Sequence, residues 1–347
     1  MSSYISTYSL SNTLQQFVLT AQSNLATAQQ EVSTGVYADV GLQLGAATGQ
    51  DFSLRADNSL MQTLSSTNTV ASTRLSTTQS LLGNIQTTAQ DFLNSLLSST
   101  GTTSANALQG IAQANLQSLT SQLNTSISGQ YVFGGINSGT IPITDYYAST
   151  SSPNQAAVNS AFTAAFGFSQ SSASVSSITG TQMQSFLSTQ FPTLFQGSNW
   201  TSDWSAASST TITSQISQTQ TASTSVSANQ SAFQDLAQAY TMVANLGTQN
   251  LSSGALNAVT TTATSLVQKA INGLVNTQAD VGIVQSNIST SNNQMSVQMN
   301  ILTTQINNLE SVDPYQVATQ VTDLQTQIET AYSLTAQLHK LSLVNYI

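Results

Sequence analysis

Hydrophobic positions step by three and four along both ends of the chain, with Ser, Thr, Gln and Asn filling the spaces between them. Near the start the series is Leu10, Leu14, Phe17, Ala21, Leu25, Ala28 and Val32, one apolar seam on an otherwise polar helix. Gly35 is placed to stop it. The last segment repeats the pattern with Val317, Val321, Leu324, Ile328, Ala331, Leu334, Leu338 and Leu341. It opens on Asp313-Pro314-Tyr315-Gln316. Asp313 suits the N-cap, Pro314 the first helical position, and Gln316 the position that a capping box needs. At 1.5 Å per residue this helix extends about 50 Å. A stripe of that length needs a partner, and the matching seam lies at the other end of the chain.

Between the ends the pattern changes several times. From Ser33 to Gln50 a glycine-punctuated stretch reads as a link too broken for a helix. Its Gly41, Gly45 and Gly49 form no nucleotide-binding fingerprint, because no strand precedes them. A second helix carries Leu60, Leu64, Ala71, Leu75, Leu82, Ile85, Ala89, Phe92 and Leu96 in heptads, widened by Leu81, Leu93 and Leu97. After a turn at Ser98–Ser104 a third helix, Leu108 to Ile127, runs antiparallel to it. Periodicity stops at Gly129. Residues 138–227 hold both tryptophans, three of the four prolines and a group of phenylalanines. Short helices are expected at Asn154–Phe166 and Thr181–Thr189, and a hairpin from Thr210–Ser217 and Thr221–Ser227. Helical patterning then returns in three pieces: Phe233–Val243, Leu256–Leu274 and Val281–Leu309.

The fold class this predicts is mainly α: a long antiparallel coiled-coil and helical-bundle rod built by the two terminal regions, with a small α+β domain inserted. Residues 1–45 with 305–347 form a terminal coiled-coil assembly domain. Residues 46–137 with 228–304 form a helical bundle, and residues 138–227 form the outward-facing insert.

Composition narrows the functions. Only 5% of the 347 residues are charged, far below the quarter usual in soluble proteins, so polarity rests on neutral side chains. Against 13 carboxylates stand four scattered cations, Arg55, Arg74, Lys269 and Lys340, too few to track phosphates, so nucleic acid is not an expected partner. The absence of cysteine removes disulfides, thiol catalysis and thiolate metal sites. No apolar run reaches the length of a membrane span. The N-terminal residues lack the basic and apolar regions of a cleaved secretory signal.

Catalytic material is equally scarce. The single histidine, His339, has no carboxylate near it in sequence and reads as a helix-surface or interface residue. The carboxylates show no ligand spacing, and no Gly-x-Ser-x-Gly elbow occurs. The aromatic cluster of the insert reads as a core, with a small-ligand site as its alternative. An enzyme reading would rest on Asp145 or Asp203 in that insert. Asn124-Thr-Ser and Asn199-Trp-Thr match glycosylation acceptors, a frequent coincidence in a Ser/Thr-rich chain. No enzyme and no cofactor are expected. The candidate site is instead an assembly interface: Leu10, Leu14, Phe17, Leu25 and Val32 against Val317, Val321, Leu324, Ile328, Leu334, Leu338 and Leu341. Both helices are built from mediocre helix formers, so they are expected to become ordered only on assembly, with ordinary hairpin pairing inside one monomer as the alternative.

Four stretches carry a resemblance. They are Glu31-Val-Ser-Thr-Gly-Val-Tyr-Ala-Asp-Val-Gly-Leu-Gln-Leu-Gly, Gly129-Gln-Tyr-Val-Phe-Gly-Gly-Ile-Asn-Ser, Gln278-Ala-Asp-Val-Gly-Ile-Val-Gln, and Leu309-Glu-Ser-Val-Asp-Pro-Tyr-Gln-Val-Ala-Thr-Gln-Val through Leu341-Ser-Leu-Val-Asn-Tyr-Ile. Together they resemble the flagellin superfamily. The ending is similar to that of its hook-filament junction branch, the hook-associated proteins, whereas filament flagellins usually end in Leu-Leu-Arg. A filament flagellin is the alternative. The resemblance implies a rod-shaped structural subunit of the bacterial flagellum, outside the cell, exported by the flagellar type III apparatus. It also implies self-assembly in a ring or helix, contacts with a hook-side junction protein and with filament flagellin, and an export chaperone on the C-terminal helix.

Overall fold

The computed structural model describes residues 7–98, 102–148 and 152–344. The described chain is mainly α, with long helices and two short antiparallel strand pairs. In order it forms α1 (Thr7–Thr34), α2 (Val40–Leu44), α3 (Thr48–Ser98), α4 (Thr102–Leu123), β1 (Ser126–Ile127), β2 (Gln130–Tyr131), α5 (Pro153–Phe166), α6 (Gly180–Thr189), α7 (Gly197–Asn199), β3 (Thr213–Gln215), β4 (Thr221–Ser223), α8 (Ser231–Asn245), α9 (Ser253–Glu310) and α10 (Pro314–Val344). Two compact units result, Met1–Gln62 with Met295–Ile347 and Thr63–Gln294.

Some boundaries differ from the periodicity. The link after Gly35 holds the short helix α2, because Asp39 accepts a hydrogen bond from the Leu42 N–H at 2.9 Å and caps it. Helix α3 then begins at Thr48, twelve positions before the heptads of Leu60 become regular. The third helix stops at Leu123, and Ile127 belongs to the β1–β2 hairpin. The turn residues 99–101 lie outside the described residues. The two helical stretches 256–274 and 281–309 are one 58-residue helix, α9.

The unit Thr63–Gln294 has one continuous core. It runs from Leu75, Leu82 and Phe92 of α3 through Leu116 of α4 and Tyr240 of α8 to Val259 and Leu274 of α9. The same cluster takes in the insert aromatics. Phe162, Phe186, Phe191, Phe195, Trp200 and Trp204 are all at most 3% exposed, which makes them core, and Phe166 and Phe168 pack against them half-buried. Their rings form a chain of contacts: Trp200 stacks on Trp204 at 5.7 Å and 8°, and Trp204 meets Phe195 at 4.9 Å. Trp200 Nε1 donates to Asn229 Oδ1 at 2.8 Å, so its indole N–H is buried with a partner. The expected hairpin is present, with Thr213 opposite Ser223 and Gln215 opposite Thr221.

In the same unit α3 and α9 run antiparallel. Gln278 Nε2 donates to Gln86 Oε1 at 2.9 Å, and Asn68 Nδ2 donates to Asn292 Oδ1 at 2.8 Å. Asn68 is fully buried, and its Nδ2 also reaches the Ile216 carbonyl at 2.8 Å. The Asn68 amide nitrogen is thus satisfied twice while its Oδ1 is buried without a hydrogen-bond partner, and an amide contact between facing helices is made in one register only.

Candidate assembly interface

Helices α1 and α10 pack along each other in the unit Met1–Gln62 with Met295–Ile347. They are antiparallel: Val36 bridges Ser311 at one end, while Gln22 Nε2 donates to the Tyr332 hydroxyl at 2.9 Å further along. The seam between them buries Ala21, Ala28, Val312, Val317, Leu324 and Ile328, with Leu25, Val321 and Tyr37 partly buried against it. Ala331 is buried too. Alanines in the seam let two helix axes approach closely, which trades apolar area for fit.

The turn joining this pair is built from backbone. Helix α1 ends on Gly35, whose φ of +74° is left-handed and whose N–H donates to the Glu31 carbonyl at 2.8 Å. Val312 N–H then donates to the Gly35 carbonyl at 3.1 Å, and Tyr37 N–H to the Glu310 carbonyl at 3.0 Å. Glu31 Oε1 accepts from the Ala38 N–H at 3.1 Å. On the other side Asp313 Oδ1 accepts the N–H groups of Tyr315 at 2.9 Å and Gln316 at 3.3 Å, the N-cap expected from the sequence.

Beside the turn lies a charge cluster. Arg55 Nε donates to Glu310 Oε1 at 2.8 Å and to Asp51 Oδ2 at 3.2 Å, and Arg55 Nη2 also contacts Glu310. Both carboxylate residues are buried, at 6% for Asp51 and 5% for Glu310. The hydrogen bond to Glu310 is the main cause that raises the Arg55 pKa, against desolvation.

The expected interface residues fall into distinct groups. Val317, Leu324 and Ile328 are buried, and Leu14, Leu25, Val321 and Leu338 are half-buried. Leu10, Phe17, Val32 and Leu334 are exposed, at 38%, 45%, 42% and 46%, on the flanks of the seam. The side chains of His339 and Leu341, and the ending Asn345-Tyr346-Ile347, lie outside the described residues. Val18, at 8% exposure, holds the buried position beside Ala21 and was not among the expected residues. Val312 in the turn was missed as well, since it precedes the helix whose periodicity gave the rest.

Helix α1 carries one charged residue, Glu31, and α10 carries Asp323, Glu329 and Lys340 apart from its histidine. The surface of the pair is therefore mainly apolar and neutral polar. Asp145 is exposed and Asp203 half-buried, and both make local bonds, to the Tyr147 N–H and the Ser202 hydroxyl, each at 2.9 Å. Among the described residues no group of three His, Cys, Asp or Glu could hold a metal ion. Among them, too, no helix is long and apolar enough to cross a membrane.

Residues 5–138 match the bacterial flagellin N-terminal helical region, and residues 264–347 match the bacterial flagellin C-terminal helical region. The chain belongs to the flagellin family. The two matches span more than half of it and contain every residue of the α1–α10 seam named above. No curated protein matches the chain. Flagellins are structural, non-enzymatic subunits that self-assemble into the extracellular bacterial flagellum.

Proposed function

We propose that this flagellin is the subunit joining hook to filament, and that it assembles through the flanks of its terminal helices. The observation that carries the assembly part is the placement of Leu10, Phe17, Val32 and Leu334. All four lie beside a seam already closed within the chain, yet stay exposed on helices with almost no charge. Burying such surface returns about 25 cal/mol per Å², and few charges have to be desolvated to do it. The resemblance of the ending Leu341-Ser-Leu-Val-Asn-Tyr-Ile to junction proteins supports the choice of position. On this reading residues 1–45 with 305–347 form the assembly domain of a rod, residues 46–137 with 228–304 its helical bundle, and residues 138–227 an outward insert. Its partners are its own copies, a hook-side junction protein, filament flagellin, and an export chaperone that holds the C-terminal helix before passage through the type III apparatus.

Antibody labelling of isolated flagella tests the position. A narrow band where hook meets filament is expected. Label along the whole filament would overturn the junction reading in favour of a filament flagellin, an alternative that fits the two flagellin-region matches equally well.

A further inference from the structure

The cluster of Arg55, Asp51 and Glu310 is out of character for this chain. The whole sequence holds four cations, and in the unit Met1–Gln62 with Met295–Ile347 only Arg55 and Lys340 are among them. Yet here two carboxylates are buried and share one guanidinium. Burying ions costs several kcal/mol each before pairing repays it, so such a cluster is poor evidence for stability and better evidence for fixing one arrangement among several. A well-packed apolar contact would hold the same helices together at less desolvation cost.

What the cluster fixes follows from Glu310. It is the last residue of α9, and it is held twice: its carbonyl accepts the Tyr37 N–H, and its carboxylate accepts Arg55 from α3. Two residues later Val312 donates to Gly35, the residue that ends α1. Tyr37 and Gly35 belong to the connection leading out of α1, and Asp51 to the first turn of α3. The guanidinium therefore ties the start of α3 to the end of α9 at the place where the chain leaves α9 for α10. Rotation of Glu310 by one helical position, about 100°, would break both holds together. Arg55 keeps 54% of its side chain exposed, while its acceptors keep only 9% and 7%. The latch is thus reached from solvent on the arginine side alone.

We propose that Arg55, through Asp51 and Glu310, is a positioning latch that sets the elbow between α9 and α10 and so presents the α1–α10 pair in its assembling orientation. This rests on the assembly function proposed above. Arg55 touches no partner in this role and acts through Glu310.

The test separates latch, stability and function. Arg55→Met alone strands two buried carboxylates, so the measured variant is the uncharged triple Asp51→Asn, Arg55→Met and Glu310→Gln. Its monomer is expected to keep wild-type helicity and urea midpoint. Amide exchange at Tyr37 and Val312 should be at least about tenfold faster in that monomer, and assembly should be weaker by about tenfold or more. A disulfide between Val36→Cys and Ser311→Cys, a bridged antiparallel pair in a chain without cysteine, should restore both on oxidation. Unchanged exchange, unchanged assembly despite faster exchange, or an unfolded triple variant would each overturn the latch. The exchange measurement needs no polymer. It therefore reads the elbow even where the wild-type protein fails to appear at the hook-filament junction, an outcome that would sink the functional reading instead.

Discussion

Val18 and Phe17 show what one residue position decides. Leu14-Phe17-Ala21 and Leu14-Val18-Ala21 both step by three and four, so the periodicity of α1 accepts either as the seam residue. The fold chooses Val18, which is buried at 8% exposure on the face that also carries Ala21 and Ala28. Phe17 is turned to the flank at 45% exposure. The two residues should consequently separate folding from assembly. Val18→Asp puts an unpaired carboxylate into the seam and should destabilise the α1–α10 pair in the monomer by about 3 kcal/mol. Phe17→Ser should cost the monomer about 1 kcal/mol or less but weaken assembly clearly. Urea unfolding of the monomer followed by circular dichroism, beside sedimentation of the polymer, reads both. Equal losses of monomer stability would mean that Phe17 belongs to the seam after all.

At the scale of elements, caps and turns were legible and helix lengths were not. Asp313-Pro314 announces the start of α10 because a short carboxylate there can take two backbone N–H groups, and it does. Helix α9 reads as two pieces because Gly273, Asn276, Asp280 and Gly282 interrupt its apolar stripe. The structure gives one reason for the interruption. A Cβ on Gly273 would sit 3.0 Å from the Cβ of Ala232, so glycine is there to let α8 approach α9, and the helix passes through it. The crossing also holds an ion pair that sequence spacing could not reveal, Lys269 Nζ to Asp235 Oδ1 at 3.1 Å across 34 residues. Burial raises the Asp235 pKa, and the hydrogen bond from Lys269 only partly opposes it. A carboxyl whose folded-state pKa lies above its unfolded value favours folding below the unfolded value and loses that contribution as pH rises through the folded one. Asp235→Asn removes the loss. Lys269 keeps 66% of its side chain exposed, so the broken pair costs little. The variant should therefore gain stability relative to wild type as pH rises from about 3 to about 7. Urea midpoints across that range test it, and a difference that shrinks with pH would mean that the lysine outweighs the burial.

For the whole molecule the decisive property is the one composition announced first, a folded chain with a formal net charge of -9 from very few charged groups. The helical class and the pairing of the two ends were legible from the seams alone, because an uninterrupted three-four pattern at both termini has one economical partner. The insert was legible only as a change of character: its tryptophans and phenylalanines sit in the same core as α3, α4, α8 and α9, and no periodicity encodes a contact of that range. The cluster around Arg55 was illegible for the same reason, since 255 residues separate its partners. The flanks proposed for assembly carry few charges: Leu10, Phe17, Val32 and Leu334 are surrounded on α1 and α10 mainly by Ser, Thr, Gln and Asn. Coulomb forces between exposed charges fall off over about 8 Å at physiological salt, whereas apolar burial strengthens in salt only mildly and weakens on cooling. Assembly of this flagellin should accordingly change less than about threefold between about 20 mM and about 500 mM sodium chloride, and should fall on cooling from about 25 °C to about 4 °C. Light scattering of the growing polymer measures both responses. A steep loss with salt would mean that pairs of opposite charge, and not the apolar flanks of α1 and α10, drive assembly.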